Sequence, residues 1–483
     1  MNRVLLMYPP GKLYQRGEDR CQGNIEDSAA TSMRACNDLG YAAAVLLRDG
    51  YEIKLRDYQT ERASEEDLLQ DLNEFKPDMV MLSVTNATIY EDIALVNRIR
   101  SACETAIVLK GAIFYDPERK MLDMLDFSNV DYLIGGEVDF CIDKIAAFHF
   151  KGEGEITAID NICYKNDEGQ MVANRFHVWN DDLDQQPFPA REYMNNALYI
   201  RPDTGKPMAT IQTSRGCPAG CIYCLSPDIS GKKVRFRSPE NVMQELEECY
   251  DRYGISDFFF KADTFTIDAE WVERLCSLIR NSHLQGKIAF TANSRVNPLK
   301  KETLKYMKEA GCFTVAFGFE SGSPDSLKKM RKGATLEQNR QAMKWAKEVG
   351  IPVYGFYLIG LPWEDRQHLE DTKKLIFELN ADFIEIHIAL PYYGTQLYSL
   401  CKEKGVLEDN VYGSDYFHSA TVGTETLSME QLVEFRKKTM LKYYLRPSYI
   451  GKKLAYSITK PYVLKNYCIY GLRMIKNLLI KKA

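Results

Sequence analysis

Two blocks of the 483-residue chain, residues 1–150 and 206–400, alternate short apolar runs with amphipathic helical patterns. Alternation of this kind is typical of β–α units, in which parallel strands form a sheet and the intervening helices cover its faces. The pattern changes in residues 151–205 and again in residues 401–483. The chain is therefore predicted to form two α/β domains joined by a connecting segment and followed by a separate C-terminal region.

The first block has the pattern of a doubly wound, Rossmann-like sheet. Its strand candidates are residues 4–7, 51–55, 79–83 and 106–109, and helical patterns cover residues 37–49 and 90–103. Ligands of such sheets bind beyond the carboxyl ends of the strands, where the strand order reverses. No G-x-G-x-x-G segment follows the first strand, so a dinucleotide ligand is disfavoured.

The second block contains six strand candidates, and a cysteine-rich loop follows the first of them. The six are residues 209–213, 257–261, 287–291, 314–318, 353–358 and 383–388. In the loop, Cys217, Cys221 and Cys224 have the spacing C-x3-C-x2-C. Three thiolates suit a soft metal. They also leave one iron of a cubane [4Fe–4S] cluster without a protein ligand, so that a substrate can bind there.

Two other interpretations of the three cysteines stay open. A structural zinc site normally needs four ligands, and the closest further candidates are Cys163, His177 and Cys249. Chance clustering is the second interpretation, because the chain has 13 cysteines. The lack of a nearby fourth ligand favours the iron–sulfur cluster.

The cysteine spacing, with the aromatic Tyr223 before the last cysteine, resembles the signature of radical S-adenosylmethionine enzymes. The resemblance implies that Cys217, Cys221 and Cys224 are the metal ligands of a [4Fe–4S] cluster whose open iron chelates S-adenosylmethionine. Reductive cleavage of that cofactor then gives a 5′-deoxyadenosyl radical. The resemblance also implies a partial (β/α)6 TIM-type barrel over residues 206–400, with its chemistry at the carboxyl ends of the strands.

Segments after the later strands resemble those of the same family, in the same order. They are residues 261–266, 293–296, 318–322, 359–364 and 390–398. The implied site residues are Asp263 and Arg295 in catalysis, and Tyr223, Glu320, Ser321 and Gly360 in cofactor binding. Asp263 can instead cap the next helix. Arg295 and Glu320 can form an ordinary salt bridge at the barrel rim, and His387 is interpreted as a core histidine.

Four segments of the first block resemble the cobalamin-binding domain that precedes the barrel in many radical enzymes. They are residues 39–51, 83–85, 110–112 and 131–137. The implied cofactor-binding residues are Ser83, Thr85, Gly111, Gly135, Gly136 and Glu137. The D-x-H-x-x-G motif, whose histidine ligates cobalt, is missing, because the first histidine of the chain is His149. A degenerate domain used only for packing is the alternative.

Two shorter segments complete the domain organisation. Residues 151–205 combine a hairpin pattern at residues 161–172 with a proline-punctuated linker, as expected between two domains. The charged loop at residues 14–22 offers Arg16 and Arg20 to a phosphate or carboxylate, unless the loop is only a solvated surface.

Residues 401–483 are predicted to be helical and to end in a basic amphipathic tail. No acidic residue follows Glu434. The apolar positions at helical spacing are Leu464, Tyr467, Cys468, Leu472, Ile475, Leu478 and Leu479. A helix of this kind suits an anionic membrane surface. Packing of the tail across the barrel is one alternative, and RNA contact through the same basic charge is another.

Whole-chain composition gives no reason to expect a nucleic-acid partner, since the net charge is −5 and the isoelectric point is about 5.9. Scattered cysteines fit a reducing compartment. The N-terminal apolar run is too short for a signal peptide, and no run reaches the length of a transmembrane helix. We therefore expect a cytoplasmic protein, and the tail is compatible with peripheral contact on the inner membrane surface.

The resemblance implies a cobalamin-dependent radical S-adenosylmethionine enzyme that methylates an unactivated carbon of a lipid or natural-product-like substrate. Flavodoxin or ferredoxin is the expected electron donor. Oxidative cyclisation or rearrangement without methyl transfer is the first alternative, and a non-catalytic iron–sulfur redox or sensor protein is the second. A methylthiotransferase is disfavoured, because Cys21, Cys36 and Cys103 lack the spacing for a second cluster.

Overall fold

The computed structural model describes residues 1–16, 33–115, 120–407, 413 and 422–479. Two large sheets organise these ranges, as the strand–helix alternation predicts. Arg20 and Cys21, which the sequence pattern singled out, lie outside the described residues.

The N-terminal sheet has seven strands in the order β2-β1-β3-β4-β5-β6-β7. They are β1 Arg3–Tyr8, β2 Glu52–Asp57, β3 Met79–Ser83, β4 Ala106–Lys110, β5 Tyr132–Ile134, β6 Ile162–Lys165 and β7 Met171–Ala173. The first five run parallel, whereas β6 and β7 are antiparallel. The predicted hairpin is therefore present, and it extends this sheet beyond β5. The order reverses between β1 and β3, so the ligand crevice of such a sheet lies at their carboxyl ends.

Helices cover both faces of the N-terminal sheet. They are α1 Asn37–Arg48, α2 Tyr58–Glu61, α3 Glu65–Phe75, α4 Ile89–Ala102, α5 Lys120–Met124 and α6 Ile142–Lys151. Successive side chains of a strand point to opposite faces. Accordingly Val4 and Leu6 of β1 pack in the cluster that holds α1 and α6. Leu5 and Met7 pack in the cluster that holds α3, α4 and α5.

The second sheet is an open barrel of six parallel strands in the order β15-β14-β13-β12-β11-β8. They are β8 Met208–Gln212, β11 Asp257–Lys261, β12 Ala289–Ser294, β13 Cys312–Glu320, β14 Val353–Ile359 and β15 Phe383–Ile388. Two short strands, β9 Ser214–Arg215 and β10 Arg235–Phe236, pair beside the cysteine loop. The fold predicted from the sequence, a Rossmann-like domain followed by a partial (β/α)6 barrel, is confirmed.

Helices follow the barrel strands. They are α7 Ser226–Ser230, α8 Pro239–Tyr253, α9 Ala269–Arg280, α10 Lys301–Glu309, α11 Pro324–Lys329, α12 Leu336–Val349, α13 Arg366–Leu379 and α14 Gln396–Glu403. Of these, α8, α9, α10, α12 and α13 cover the outer side of the barrel. In β11, Phe258 and Phe260 pack under these helices, and the Phe260 ring stacks on Phe290 at 4.4 Å between centroids. Because strand side chains alternate, Phe259 between them faces the barrel interior, where it lines a cavity.

One barrel strand begins later than the sequence pattern predicts. The sequence pattern predicts a strand over residues 287–291, whereas the observed strand β12 starts at Ala289. Gly286 has a left-handed φ of +70°, and the Lys287 amide donates to the Leu284 carbonyl at 2.9 Å. A turn therefore holds Lys287 out of the strand.

In the described part of the C-terminal region, three helices follow the barrel: α15 Met429–Tyr444, α16 Pro447–Ser457 and α17 Pro461–Leu479. Helix α15 runs along the edge strand β15, where Arg436 donates to the Ile386 carbonyl at 2.6 Å. Its end and the two helices after it reach the amino ends of the two edge strands. The Tyr444 hydroxyl donates to the Ile384 carbonyl at the start of β15, at 2.6 Å. Asn466 donates to the Pro202 carbonyl, ahead of β8, at 2.6 Å. Among the described residues, no helix combines the length and apolar character needed to span a membrane.

Candidate active site

The cysteine loop leaves the barrel at the carboxyl end of β8, where the βα loops of such a fold gather. Gly216, before the first cysteine, has a φ of +99°. A Cβ at this position would lie 2.0 Å from the Lys233 carbonyl oxygen, so only glycine fits. Cys217 is buried, whereas Cys221 and Cys224 are half-buried. Across the described part of the chain, no three Cys, His, Asp or Glu side chains converge on a position for a single metal ion.

Asp263, after β11, anchors both ends of the cysteine loop. Its Oδ2 accepts a hydrogen bond from the Gly216 amide at 3.1 Å, and its Oδ1 accepts one from the Ser226 hydroxyl at 2.5 Å. The Ser226 amide in turn donates to the Cys224 sulfur at 3.4 Å. Asp263 therefore ties together the two ends of the segment that carries the three thiols.

Arg295 brings a positive charge to the thiols. Its Nη1 lies 3.4 Å from the Cys221 sulfur, and its Nη2 donates to the Lys332 carbonyl. Burial lowers the pKa of Arg295, but the Cys221 and Cys217 sulfurs outweigh that effect and leave the pKa raised. A guanidinium in this place offsets the negative charge that gathers when cysteines bind a cluster as thiolates.

Glu320 ends β13 at a bulge and presents its carboxylate to the same cavity. It has a left-handed φ of +61°, and its Oε1 pairs with Lys332 Nζ at 2.5 Å in a nearly buried salt bridge. Tyr223 lies next to this carboxylate: burial first, then the charge of Glu320, raises the pKa of its hydroxyl. The structure thus brings together Tyr223, Glu320 and the cysteine loop, all of which the sequence predicted to act in one site.

Ser321 and Gly360, also predicted cofactor contacts, lie outside the cavity lining. The Ser321 hydroxyl is 3.1 Å from the Thr372 hydroxyl and accepts a hydrogen bond from the Ser323 amide. Gly360 has a φ of +84° and donates its amide to Glu364 at 2.9 Å. These contacts stabilise the turns after β13 and β14. Both residues therefore support the rim of the barrel without lining the cavity.

A cavity of about 270 Å³ opens at the carboxyl ends of the barrel strands. Its apolar wall includes Phe259, Phe356, Leu358 and Tyr392. Its polar lining consists of the three cysteines, Arg34, Gln212, Ser214, Arg215, Ser226, Lys261, Asp263, Thr264, Asn293, Ser294, Arg295, Tyr223, Glu320, Lys332, Ser230 and His387. The cavity therefore joins the thiol loop to a mixed aromatic and charged surface.

His387 and Lys332 are cavity residues that the sequence interpretation missed. The alternation of β15 could have revealed His387, because Ile384 and Ile386 pack in the helical core and side chains at odd positions of this strand point to the other face. Burial lowers the pKa of His387, so its imidazole is neutral at neutral pH. No comparable pattern marks Lys332, which follows a short helix in a loop.

The predicted cobalamin contacts lie at the carboxyl edge of the N-terminal sheet. The Ser83 hydroxyl donates to Asp38 at 2.5 Å, and Thr85 caps the following turn by accepting from the Ala87 amide at 3.1 Å. Nearby Lys110 is fully buried, and its Nζ has no hydrogen-bond acceptor among the described residues, since Asp38 Oδ2 is 3.7 Å away. An unsatisfied buried ammonium at the ligand edge of the sheet fits a polar group that docks there.

The three predicted glycines of this edge have close protein neighbours. A Cβ would lie 2.8 Å from Val84 at Gly111, 2.6 Å from the Phe114 carbonyl at Gly135, and 2.4 Å from Asn161 at Gly136. Glycine is therefore needed at these turns for the loops to pack against one another.

Glu137 and Arg16 have protein partners of opposite charge. Glu137 pairs with Arg235 at 2.6 Å and with Arg215 at 3.4 Å, all three side chains being buried. Arg16 pairs with Asp92 at 2.8 Å. Glu137 thereby connects the N-terminal sheet to the strands β9 and β10 beside the cysteine loop.

The N-terminal sheet and the barrel meet at the cavity. Arg34 places its guanidinium 4.0 Å from the centre of the Phe259 ring, and Asn37 donates to the Thr210 carbonyl of β8 at 2.8 Å. The carboxyl edges of both sheets therefore face one shared space. A thiol loop at the mouth of an open six-stranded barrel, facing a doubly wound domain, is the arrangement that the resemblance to two-domain radical enzymes implies.

Residues 211–376 match the Radical SAM superfamily. An uncharacterized methyltransferase of Pyrococcus horikoshii is 29% identical over 418 residues, 86% of this chain and 89% of that protein. Cytidylyl-2-hydroxyethylphosphonate methyltransferase of Streptomyces wedmorensis is 25% identical over 471 residues, 86% of this chain and 84% of that protein. An anaerobic magnesium-protoporphyrin IX monomethyl ester cyclase of Cereibacter sphaeroides is 22% identical over 414 residues, 84% of this chain and 66% of that protein.

Two solved structures share the fold over most of the chain. The radical S-adenosylmethionine methyltransferase TsrM from Kitasatospora setae, with cobalamin and a [4Fe–4S] cluster bound, has a TM-score of 0.66 and 17% identity, covering 85% of this chain and 80% of its own. OxsB, a cobalamin-dependent S-adenosylmethionine radical enzyme, has a TM-score of 0.70 and 15% identity, covering 99% and 72%. Residues 211–376 therefore form a radical S-adenosylmethionine domain, and most of the chain shares the fold of cobalamin-dependent enzymes of that class. The class predicted from the cysteine spacing is thereby confirmed.

Proposed function

We propose that this enzyme uses a [4Fe–4S] cluster, S-adenosylmethionine and cobalamin to methylate an unactivated carbon of its substrate. The observation that carries the proposal is the shared space between the two carboxyl edges, where Arg34 of the N-terminal region lies over Phe259 of the barrel. Methyl transfer to a substrate radical requires the methyl donor and the radical source to reach the same carbon. The methyltransferases among the relatives agree with this reaction.

The residues of the site fit the cofactors they would hold. When bound, the cluster, S-adenosylmethionine and cobalamin supply the radical and methyl-transfer chemistry, and the protein supplies orientation and a dry environment. Cys217, Cys221 and Cys224 would ligate the cluster, and Arg295 would offset the charge of the thiolates. Asp263 would keep the loop in one geometry.

The opposite wall of the cavity would bind S-adenosylmethionine and the substrate. Glu320 offers a carboxylate to an ammonium or a ribose hydroxyl, and Lys332 holds that carboxylate in place. Phe356 and Tyr392 line this cavity and would exclude water from the reactive carbon. The neutral imidazole of His387 can donate or accept a hydrogen bond from a polar group of the substrate.

The test is an anaerobic reconstitution with cobalamin, a strong reductant, S-adenosylmethionine and an extract of the producing cells. Mass spectrometry then measures 5′-deoxyadenosine and S-adenosylhomocysteine together. We expect both products to form in near-equal amounts. The variant with Cys217, Cys221 and Cys224 changed to Ala should form neither, whereas Cys468→Ala, at an exposed cysteine, should match the unchanged enzyme.

Oxidative cyclisation is the alternative that the cyclase relative supports. It predicts 5′-deoxyadenosine without S-adenosylhomocysteine. A redox or sensor role predicts a cluster that assembles without either product.

Three further proposals concern the electron donor, the substrate and the location of the enzyme. A flavodoxin or ferredoxin is the proposed electron donor, and the proposed substrate is a small molecule or a lipid-linked molecule. A peripheral position on the inner membrane surface is proposed from the basic C-terminal tail, which contains no acidic residue after Glu434.

A further inference from the structure

The C-terminal helices carry a row of exposed apolar side chains. On α16 and the residue after it, Ile450, Leu454 and Ile458 are spaced four residues apart and therefore share one helix face. Leu454 is 50% exposed and Ile458 is 75% exposed. On α17, Leu472 is 68% exposed, and Tyr462 and Ile469 are each 46% exposed. We call these six side chains the α16–α17 surface.

Of this surface, only Leu472 belongs to the apolar face that the sequence periodicity of the tail predicts. Ile475 of that face contacts the barrel core, and Tyr467 lies 5.6 Å from the Lys453 ammonium. Val463, on the same side of α17, is 7% exposed. The side chains of Leu478 and Leu479 lie outside the described residues. Part of the predicted apolar face of α17 therefore packs against the protein, whereas Leu472 and Ile469 stay exposed.

Basic side chains flank the exposed row. Lys460 before α17 and Lys465 and Lys476 on α17 are exposed. The last 49 residues of the chain contain no Asp or Glu, so the C-terminal helices carry an excess of positive charge. Apolar and aromatic side chains bordered by lysines match the chemistry of an anionic bilayer surface.

The helices that carry this surface are fixed to the barrel at its amino end. The Tyr449 hydroxyl donates to the Asp382 carbonyl at 3.0 Å, and Lys452 reaches the Asp382 carboxylate at 2.9 Å. Lys453 lies 3.8 Å from the centre of the Phe383 ring at the start of β15. The cavity with the cysteine loop opens at the other end of the same strands, so the surface and the cavity lie on opposite ends of the barrel.

We propose that the α16–α17 surface docks on an anionic lipid bilayer and holds the enzyme with its cavity opening away from that bilayer. The inference rests on the proposed peripheral position and adds the face that makes the contact and the direction of the site. Substrate and reductant then reach the cavity from the aqueous side. The reactive head group of a lipid-linked substrate would have to extend from the bilayer to the opposite end of the barrel, where the cavity opens.

The experiment uses full-length, cluster-reconstituted enzyme and vesicles of phosphatidylcholine with and without phosphatidylglycerol. We expect sedimentation with the anionic vesicles, and a partition coefficient that falls at least about tenfold in the double variant Leu454→Glu, Leu472→Glu. The matched control is Leu69→Glu, at an exposed leucine of α3, which should bind like the unchanged enzyme. Circular dichroism and S-adenosylmethionine cleavage verify that the variants are folded.

Equal vesicle binding by the double variant and the control would overturn the proposal, and so would failure of the unchanged enzyme to bind anionic vesicles. A dimer that the double variant converts to a monomer, seen by sedimentation velocity without vesicles, would assign the surface to a second copy and overturn it too. Vesicle-bound enzyme should cleave S-adenosylmethionine with soluble reductant at the unbound rate, and a slowed rate would contradict the orientation. Vesicle binding is read independently of methyl transfer, so each proposal can fail alone.

Discussion

Glu137 and Arg235 form a buried bidentate ion pair between the N-terminal sheet and the base of the cysteine loop. The Arg235 Nη2 and Nη1 atoms donate to the two oxygens of Glu137 at 2.6 and 3.0 Å. Arg215, two residues before Cys217, pairs with Asp139 of the same turn at 3.2 Å. The two halves of the enzyme are therefore connected directly beside the thiols.

Changing Glu137 to Gln should destabilise the enzyme, because it leaves two buried guanidinium groups with less negative charge. Removing one partner of a buried pair costs about 3 kcal/mol in the free energy of unfolding. The measurement is chemical denaturation of the apo-protein. The control is Asp181→Asn, which removes the exposed pair of Asp181 with Lys233 and should leave stability unchanged. Equal stability of the Glu137→Gln variant would contradict a structural role for the pair.

Changing Asp263 to Asn should loosen the cysteine loop, because the amide cannot accept from both Gly216 and Ser226 as the carboxylate does. Loss of a hydrogen bond to a charged group costs about 2 kcal/mol. We expect less iron and sulfide per chain after reconstitution, and an altered electron paramagnetic resonance spectrum of the reduced cluster. Asp268→Asn is the control, since Asn also caps a helix well and Asp268 caps α9. An unchanged cluster in the Asp263 variant would refute the anchoring role.

Changing Glu320 to Gln tests the cofactor wall of the cavity. If the carboxylate contacts S-adenosylmethionine, equilibrium binding should weaken about tenfold, as expected for loss of one charge-assisted hydrogen bond, while the cluster content stays the same. Glu337→Gln, at an exposed position of α12, serves as the control. A lower melting temperature with unchanged affinity would show that Glu320 only holds Lys332.

His387 should make the stability depend on pH in the acidic range. Its folded-state pKa is lowered by burial from the ordinary value of 6.5, so the unfolded chain binds the proton first as the pH falls. The stabilising contribution is complete above pH 6.5 and is lost as the pH falls towards the folded-state pKa. The variant His387→Gln should show a weaker decline in the free energy of unfolding below pH 6.5 than the unchanged protein. His283→Gln, at an exposed histidine, is the control, and parallel pH profiles for all three proteins would contradict the assignment.

Much of the fold could be predicted because strand alternation and loop spacing are local signals. The six barrel strands are visible as apolar runs, and the cysteine loop follows the first of them. Pairing between distant segments leaves no such signal. Nothing in residues 161–172 shows that the hairpin joins β5, and nothing near Glu137 shows that two arginines about 80 to 100 residues later will reach it.

The site could be predicted where a backbone motif carries the chemistry and not where a single side chain does. Cys217, Cys221 and Cys224 are identified by spacing alone, whereas Lys332 enters the cavity through an irregular loop. Ser321 belongs to a motif, but its hydroxyl faces Thr372. The direction of a side chain after a strand depends on bulges such as the one at Glu320, and sequence patterns do not show these.

The most direct test of the account follows the methyl group itself. Reconstituted enzyme receives S-adenosylmethionine that carries a deuterated methyl group, together with cobalamin, reductant and cell extract. We expect a product that contains the labelled methyl group. Its amount should match the amount of 5′-deoxyadenosine formed. A product that is cyclised or rearranged without the label, at full yield of 5′-deoxyadenosine, would contradict methyl transfer as the function of this enzyme.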